Sequence, residues 1–246
     1  MALISASDLL QTLQTNITKI PGWNRKNPMP FAILDIDGTI LDPFPRHLAV
    51  YETILQPQFD LPPIHELDIR SKPYFLGDLI PKLKDDTSTY QQAVEVFLEH
   101  FLSPEFLHLD QPYPGAISFL TEIRKMGVGI LYLTSRHLYG PRSMVDKTIE
   151  TMGDLGFPIG PSMEVLFAFK PNIEDDDFEF KRKFAQKFRA NKFQSCIFFV
   201  DNEMKTCQIF QEEFPQCYVA RFDSAQSQDF PFSGPTLTSW EMGKAI

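Results

Sequence analysis

Cysteine is scarce in this chain. Only Cys196, Cys207 and Cys217 occur in 246 residues, widely spaced and with no Cys-x-x-Cys pair. Neither a zinc site nor a disulfide framework is therefore indicated, and a reducing, cytoplasmic setting fits. Long apolar runs are also missing. Mean hydropathy is −0.17, and no stretch is long enough to span a bilayer. The opening residues have no basic region ahead of their apolar positions and are soon interrupted by Asp8, which argues against a secretory signal. Positive charge is in deficit, with 23 Lys and Arg against 32 Asp and Glu. That balance disfavours a nucleic-acid backbone as partner. It leaves a small phosphorylated substrate open, because local charge at a site can oppose the net charge. The five histidines are scattered with no His-Glu-x-x-His, and neither Gly-x-x-x-x-Gly-Lys nor Gly-x-Gly-x-x-Gly is present. There are no repeats and no low-complexity tracts.

What is present is ample apolar material, 43% of residues including 23 Phe, arranged in alternating patterns. Residues 3–16 read as an amphipathic helix with Ile4, Leu9, Leu10 and Leu13 on one face, ended by a loop containing Pro21, Gly22, Pro28 and Pro30. Phe31 to Ile36 reads as a buried strand closed by the turn at Asp37-Gly38. From Asp42 to Pro114 the texture changes. Ten of the 20 prolines fall there, between helical patterns near 46–55 and 88–102, so 42–114 reads as a helical insertion. A regular alternation follows: helix 117–126, strand 129–133, helix 143–155, strand 165–169, helix 178–188, strand 196–200, helix 203–214 and strand 217–222. The tail after Asp223 reads as polar and irregular, with Trp240 as its anchor. Strands alternating with helices imply an α/β fold with a doubly wound parallel sheet. The expected division is a core of 1–41 and 115–246, with 42–114 as a small helical cap inserted after the first strand.

Ligands of such sheets bind beyond the carboxyl ends of the strands. The first strand leads there into Asp35 and Asp37, the second into Thr134, Ser135 and Arg136, and that of 196–200 into Asp201, Asn202 and Glu203. If these strands are neighbours, carboxylates, hydroxyls and an amide converge on one edge. Such an oxygen set suits a hard octahedral cation such as magnesium. A cation of this kind clamps phosphate and neutralises its charge. A carboxylate beside it can attack phosphorus, while a second acid protonates the leaving oxygen and later activates water. Asp35 and Asp37, two apart, can face the same side, and Gly38 permits a sharp turn and close backbone approach.

Asp35-Ile-Asp37-Gly38-Thr39 resembles the first motif of the haloacid dehalogenase superfamily. Leu131-Tyr-Leu-Thr134 resembles the second, and Phe199-Val-Asp201-Asn202 the acidic fourth. Lys181 is taken as the lysine of the third motif, with Lys170 as its rival. The resemblance spans roughly 31–222, the insertion falls where family members carry a cap, and Pro112-Tyr-Pro-Gly-Ala116 looks like the return to the core. It implies a magnesium-dependent hydrolase of a small phosphate monoester. Asp35 would be nucleophile and metal ligand. Asp37 would be general acid/base and offer its carbonyl to the metal. Thr134 and Lys181 would hold phosphoryl oxygens. Asn202 or Asp201 would complete the metal shell, Asn202 ranking first, with Asp201 then orienting Lys181 or metal-bound waters. An acid at position 37 resembles the phosphatases and phosphomutases of the superfamily rather than its dehalogenases.

Plainer interpretations stand beside these. Asp-Gly alone can be a hairpin turn, Thr134 a strand end, Arg136 a surface cation, and Asp201-Asn202 a helix cap. The Lys181-Arg-Lys183 run can be a solvated face. The acids 174–177 would solvate a loop and favour the N-terminus of the next helix. Phe180, Phe184 and Phe188 would pack a helix on the sheet. His137 is the one histidine placed near the site. A phosphomutase is a further alternative, and it would need its cap to turn a phosphorylated intermediate around; the residues of the cap show no interpretable pattern. A non-catalytic or phosphate-binding protein on the same fold is the alternative from another class, and it would have no need for Asp37. A receiver-type signalling domain fits poorly with so large an insertion. Substrate identity and oligomeric state are not written in these residues.

Overall fold

The structure is a computed structural model that describes residues 2–18, 29–71, 73–160, 164–191, 194–227 and 229–243. Pro21, Gly22 and Pro28, read above as a helix-ending loop, lie outside them. The core begins with β1 (Leu3–Ile4), α1 (Ala6–Thr18) and β2 (Met29–Leu34). The insertion follows: β3 (Leu41–Asp42), α2 (Phe44–Val50), a π-helical turn at Tyr51–Leu55, α3 (Gln56–Phe59), α4 (Pro81–Asp85), α5 (Thr87–Phe101) and β4 (Gln111–Pro112). The chain then runs through α6 (Ala116–Lys125), β5 (Gly129–His137), α7 (Val145–Asp154) and β6 (Val165–Lys170). It ends with α8 (Asp177–Ala190), β7 (Gln194–Asp201), α9 (Met204–Glu213), β8 (Tyr218–Phe222) and β9 (Thr236–Leu237).

The described sheet has seven strands in the order β1-β9-β8-β7-β2-β5-β6, and every pairing in it is parallel. In β2, alternate side chains enter opposite layers, as the twofold repeat of a strand requires. Ala32 and Leu34 join Leu9 and Leu13 of α1 and Phe119 and Ile123 of α6. Phe31 and Ile33 join Phe188 of α8 and Phe210 of α9. Both faces are therefore covered and the sheet is doubly wound. Phe180 and Phe184 pack at the edge of that second layer, as their spacing indicates.

Two terminal expectations change. The first helix starts at Ala6 rather than residue 3, because Ser5 and Asp8 bond reciprocally: the Asp8 amide donates to Ser5 Oγ at 3.1 Å and Ser5 Oγ donates to Asp8 Oδ2 at 2.7 Å. That capping box sets the start and frees Leu3–Ile4 to pair with β9. The tail is less irregular than its polarity suggests. It supplies β9, and Trp240, fully buried, donates its indole N–H to the Thr39 carbonyl at 2.8 Å.

Residues 50–97 hold an apolar cluster of their own, centred on Tyr51, Leu55, Phe75 and Phe97. Tyr51 is tolerated there because its hydroxyl donates to the Pro62 carbonyl at 2.7 Å. The chain enters and leaves this stretch through the short antiparallel pair β3–β4. Among the described residues no helix is long and apolar enough to cross a membrane.

Candidate active site

The direction of chain winding changes at β2, with β5 and β6 on one side and β7, β8, β9 and β1 on the other. Ligands are expected beyond the carboxyl ends of strands at such a switch point. Three segments meet there. The Asp35 amide donates to the Val200 carbonyl at 3.0 Å, which locks the end of β2 to that of β7. A tight turn follows, in which the Ile36 carbonyl accepts from the amides of Thr39, Ile40 and Leu41 at 3.0–3.2 Å. Gly38 takes φ +73° in this turn, and a Cβ there would come within 2.8 Å of Asn202 Nδ2. Both conformation and space require glycine.

On one flank the Lys181 ammonium, 5% exposed, donates to Asp35 Oδ1 and to Asp201 Oδ2, each at 2.7 Å. Lys181 reaches this position from α8, which Asp176 caps by accepting from the Glu179 amide at 2.8 Å. The acid run thus starts the helix. Of the two candidate lysines, Lys181 touches Asp35. Lys170 donates instead to Asp177 Oδ1 at 2.7 Å and the Ile173 carbonyl at 3.0 Å. Asp201 is enclosed completely, its other oxygen accepting from the Glu203 amide at 2.8 Å. Burial pushes the Asp35 and Asp201 carboxyls up, against the pull of Lys181. Burial works against the Lys181 charge as well, but the two carboxylates outweigh it and hold the amine protonated.

Asn202 is oriented by its neighbours. Its Nδ2 donates to the Ala225 carbonyl at 2.5 Å, which turns Oδ1 toward Thr39. Thr39 Oγ1, fully buried, accepts from the Asn202 amide at 3.0 Å and lies 3.3 Å from Asn202 Oδ1 and 3.5 Å from Asp35 Oδ2. Asp35 Oδ2 and Asn202 Oδ1 therefore lie beside the same Thr39 hydroxyl, at distances long for O–H···O bonds. Asp35, Asp201 and Lys181 together carry a formal charge of minus one in a buried place. Neighbouring oxygen donors with a deficit of positive charge fit magnesium. Asp35 Oδ2 and Asn202 Oδ1 are side-chain oxygens that could hold such an ion, whereas the Asp201 oxygens accept from Lys181 and from the Glu203 amide. Among the described residues no group of three or more His, Cys, Asp or Glu side chains is arranged to hold a metal.

On the other flank Asp37 is held by two arginines. Arg136 donates through Nε to Oδ2 at 2.9 Å and through Nη2 to Oδ1 at 2.8 Å, and Arg46 Nη2 reaches Oδ1 at 2.5 Å. Both guanidiniums also pair with Asp110, Arg136 at 2.6 Å and Arg46 at 3.1 Å. Arg136 is no surface cation: both arginine side chains are 1% exposed. Burial would raise the Asp37 carboxyl, but Arg136 and then Arg46 outweigh it and hold it well below the usual carboxylate range. His47, packed edge-on against Phe97 and Phe101 at ring distances of 5.2 and 4.4 Å, is pushed down to about 3 by its burial and then by Arg46.

Thr134, expected to hold phosphate, is 1% exposed, accepts from the Arg136 amide at 3.2 Å and is not among the residues that line the cavity above Asp35. Its neighbour Ser135 faces the cavity above Asp35, with Lys181 and Asn202. His137 does not line that cavity. Arg46 and Asp110 were missed in the sequence. They lie in the proline-broken insertion just outside β3 and β4, and no motif marks them.

A doubly wound α/β fold with paired acids at its switch point defines a class of enzymes acting at that sheet edge. The family model of haloacid dehalogenase-like hydrolases matches residues 31–204, and the chain belongs to that family. Among solved structures it is similar to a HAD-superfamily hydrolase, subfamily IA, variant 1, from Geobacter sulfurreducens (14% identity, 86% of this chain and 92% of that one, TM-score 0.52). It is also similar to a haloacid dehalogenase-like family protein from Streptococcus pneumoniae (11% identity, 85% and 94%, TM-score 0.51). These likenesses concern the fold. A search among curated proteins finds no match.

Proposed function

We propose that the chain is a magnesium-dependent phosphatase that hydrolyses a small phosphate monoester through a phospho-aspartate on Asp35. The observation that carries this is Asp35 itself: a buried carboxylate at the end of β2, bonded to Lys181 on one oxygen and turned toward Asn202 with the other. Magnesium, held by Asp35, Asn202 and the Asp37 carbonyl, would neutralise phosphoryl charge. Lys181 and the Ser135 hydroxyl at the end of β5 would hold phosphoryl oxygens, with Thr134 behind it orienting the strand end, and Asp201 would orient Lys181.

In the first half-reaction an Asp35 oxygen attacks phosphorus, the P–O bond to the alcohol breaks, and Asp37 gives the departing oxygen its proton. In the second, Asp37 takes a proton from water, which attacks the phosphoryl group, releases inorganic phosphate and restores Asp35. The arginine pair holds Asp37 in its ionised form, which suits the second half. Donation in the first half requires that carboxyl to exchange an arginine contact for the proton.

The test is hydrolysis of p-nitrophenyl phosphate with magnesium, with and without chelator, by the wild type and Asp35→Asn. Turnover that needs both the metal and Asp35 is expected. Full activity in Asp35→Asn would overturn the mechanism. A wild type that neither turns over the substrate nor binds magnesium and vanadate would move the assignment to a non-catalytic protein.

A further inference from the structure

The cavity above Asp35 has a volume of about 360 Å³, room for a phosphoryl group and a modest alcohol. Its floor is polar, but its walls are not. Phe44, Tyr74, Phe97, Phe101 and Tyr113 surround it. Part of that wall is built in advance. Phe97 and Phe101 stack at 5.1 Å, and the Arg46 guanidinium lies 4.0 Å above the Phe101 ring. At the mouth, Tyr74 and Leu98 are 51% and 37% exposed, apolar surface left uncovered where a substrate would enter.

The charges on the same lining point one way. Six described lining residues are acidic: Asp35, Asp37, Asp42, Asp177, Glu203 and Asp223. The described lysines there, Lys170 and Lys181, are each bonded to carboxylate. Beyond the phosphoryl position, a second phosphate or a carboxylate would meet acids and no unengaged lysine among the described residues. An apolar ring would bury its faces against the walls.

We propose that the substrate is a phosphate monoester of an apolar, ring-bearing alcohol that carries no anionic group besides the phosphate, with Tyr74 and Phe44 as specificity-determining residues. This rests on the phosphatase reading above and narrows it.

Aryl phosphates would mislead as a test, because their good leaving groups raise the rate whatever the pocket prefers. The comparison is benzyl phosphate against glycerol 3-phosphate and 3-phosphoglycerate, all alkyl esters, with the full chain and magnesium. Benzyl phosphate is expected to have a kcat/KM at least about tenfold higher than each of the others, an effect of burying one ring. Tyr74→Ala and Phe44→Ala should each shrink that ratio several-fold through the benzyl value. Tyr74 is exposed enough for its loss to leave folding intact. Binding supplies a measurement independent of turnover: benzylphosphonate should bind about tenfold more tightly than methylphosphonate. A comparison ester equal to or better than benzyl phosphate, a ratio unmoved by both substitutions, or equal binding of the two phosphonates would overturn the proposal. Loss of Asp35-dependent turnover of p-nitrophenyl phosphate with the phosphonate preference intact would instead overturn the reaction and leave the pocket assignment standing.

Discussion

Asp35 and Asp37 stand two residues apart on one turn, yet they live in opposite electrical company. Asp35 shares a single lysine with Asp201, a buried group of formal charge minus one, and burial raises both carboxyls. Asp37 shares two arginines with Asp110, a group whose charges cancel. Asp110, wholly enclosed, is raised by burial, while Asp37 is lowered by the guanidiniums after burial is overcome. The difference separates the two tasks. Under the reaction proposed above, the deficient group would be completed by a cation and a phosphoryl group, a binding role. The balanced group needs nothing further, so it is built to hold one carboxylate in place.

The strongest way to break this comparison is to remove the lysine. Lys181→Met leaves Asp35 and Asp201 buried without a counter-charge, and loss of one partner of a buried pair costs about 3–5 kcal/mol. Urea unfolding without metal should show a loss of this size, partly recovered on adding magnesium. A loss under about 1 kcal/mol would mean the two carboxyls are neutral and the deficit does not exist. Next is Asp110→Asn, which unbalances the other group by one charge. Asp37 still engages both guanidiniums, so the expected loss is smaller, about 2–3 kcal/mol. Adding Arg46→Met should return part of it, because charge balance is restored. Strict additivity of the two changes would show that the four side chains do not act as one group.

Activity sharpens the same contrast. Asp37→Asn keeps a side chain of the same shape but cannot exchange a proton, and should cost at least about 10²-fold in kcat. The loss should be greater for alkyl than for nitrophenyl phosphates, since the latter leave without protonation. Equal losses on both would assign Asp37 to holding the arginines rather than to proton transfer.

The two groups also differ in how far they could be read from sequence. Asp35, Asp201, Asn202 and the α/β alternation are local signals: acids directly after apolar strands, at positions that a parallel sheet must bring together. Lys181 was harder, since its run resembles a solvated face, and only the path of α8 places its amine between two acids. The arginine group was not legible. Arg46 and Asp110 are separated by 64 positions of irregular, proline-rich chain, and only the pairing of β3 with β4 brings them together. Arg136 looked like a surface cation because nothing nearby in sequence announces its partners. The capping box at Ser5 and the strand at Thr236–Leu237 were missed for a related reason. A two-residue strand has too little periodicity to register, and its existence depends on an edge supplied from the far end of the chain.

The least drastic probe is pH acting on His47, which lies beside Arg46 and packs on Phe97 and Phe101. Its folded value of about 3 lies below the ordinary 6.5, so between those values the unfolded chain binds a proton that the folded chain refuses. Stability must then rise with pH across that window and fall on acidification through it. From pH 7.5 to pH 5 the contribution amounts to about 2 kcal/mol. The difference between wild type and His47→Phe isolates it from the carboxylates, because phenylalanine keeps an aromatic ring in the stack and does not titrate. Urea midpoints for the two proteins should therefore converge or cross as pH falls, the wild type losing more. Parallel profiles would mean that His47 accepts its proton when folded. The arginine group would then tolerate an added positive charge at its border, and its balance would no longer explain why Asp37 is held where it is.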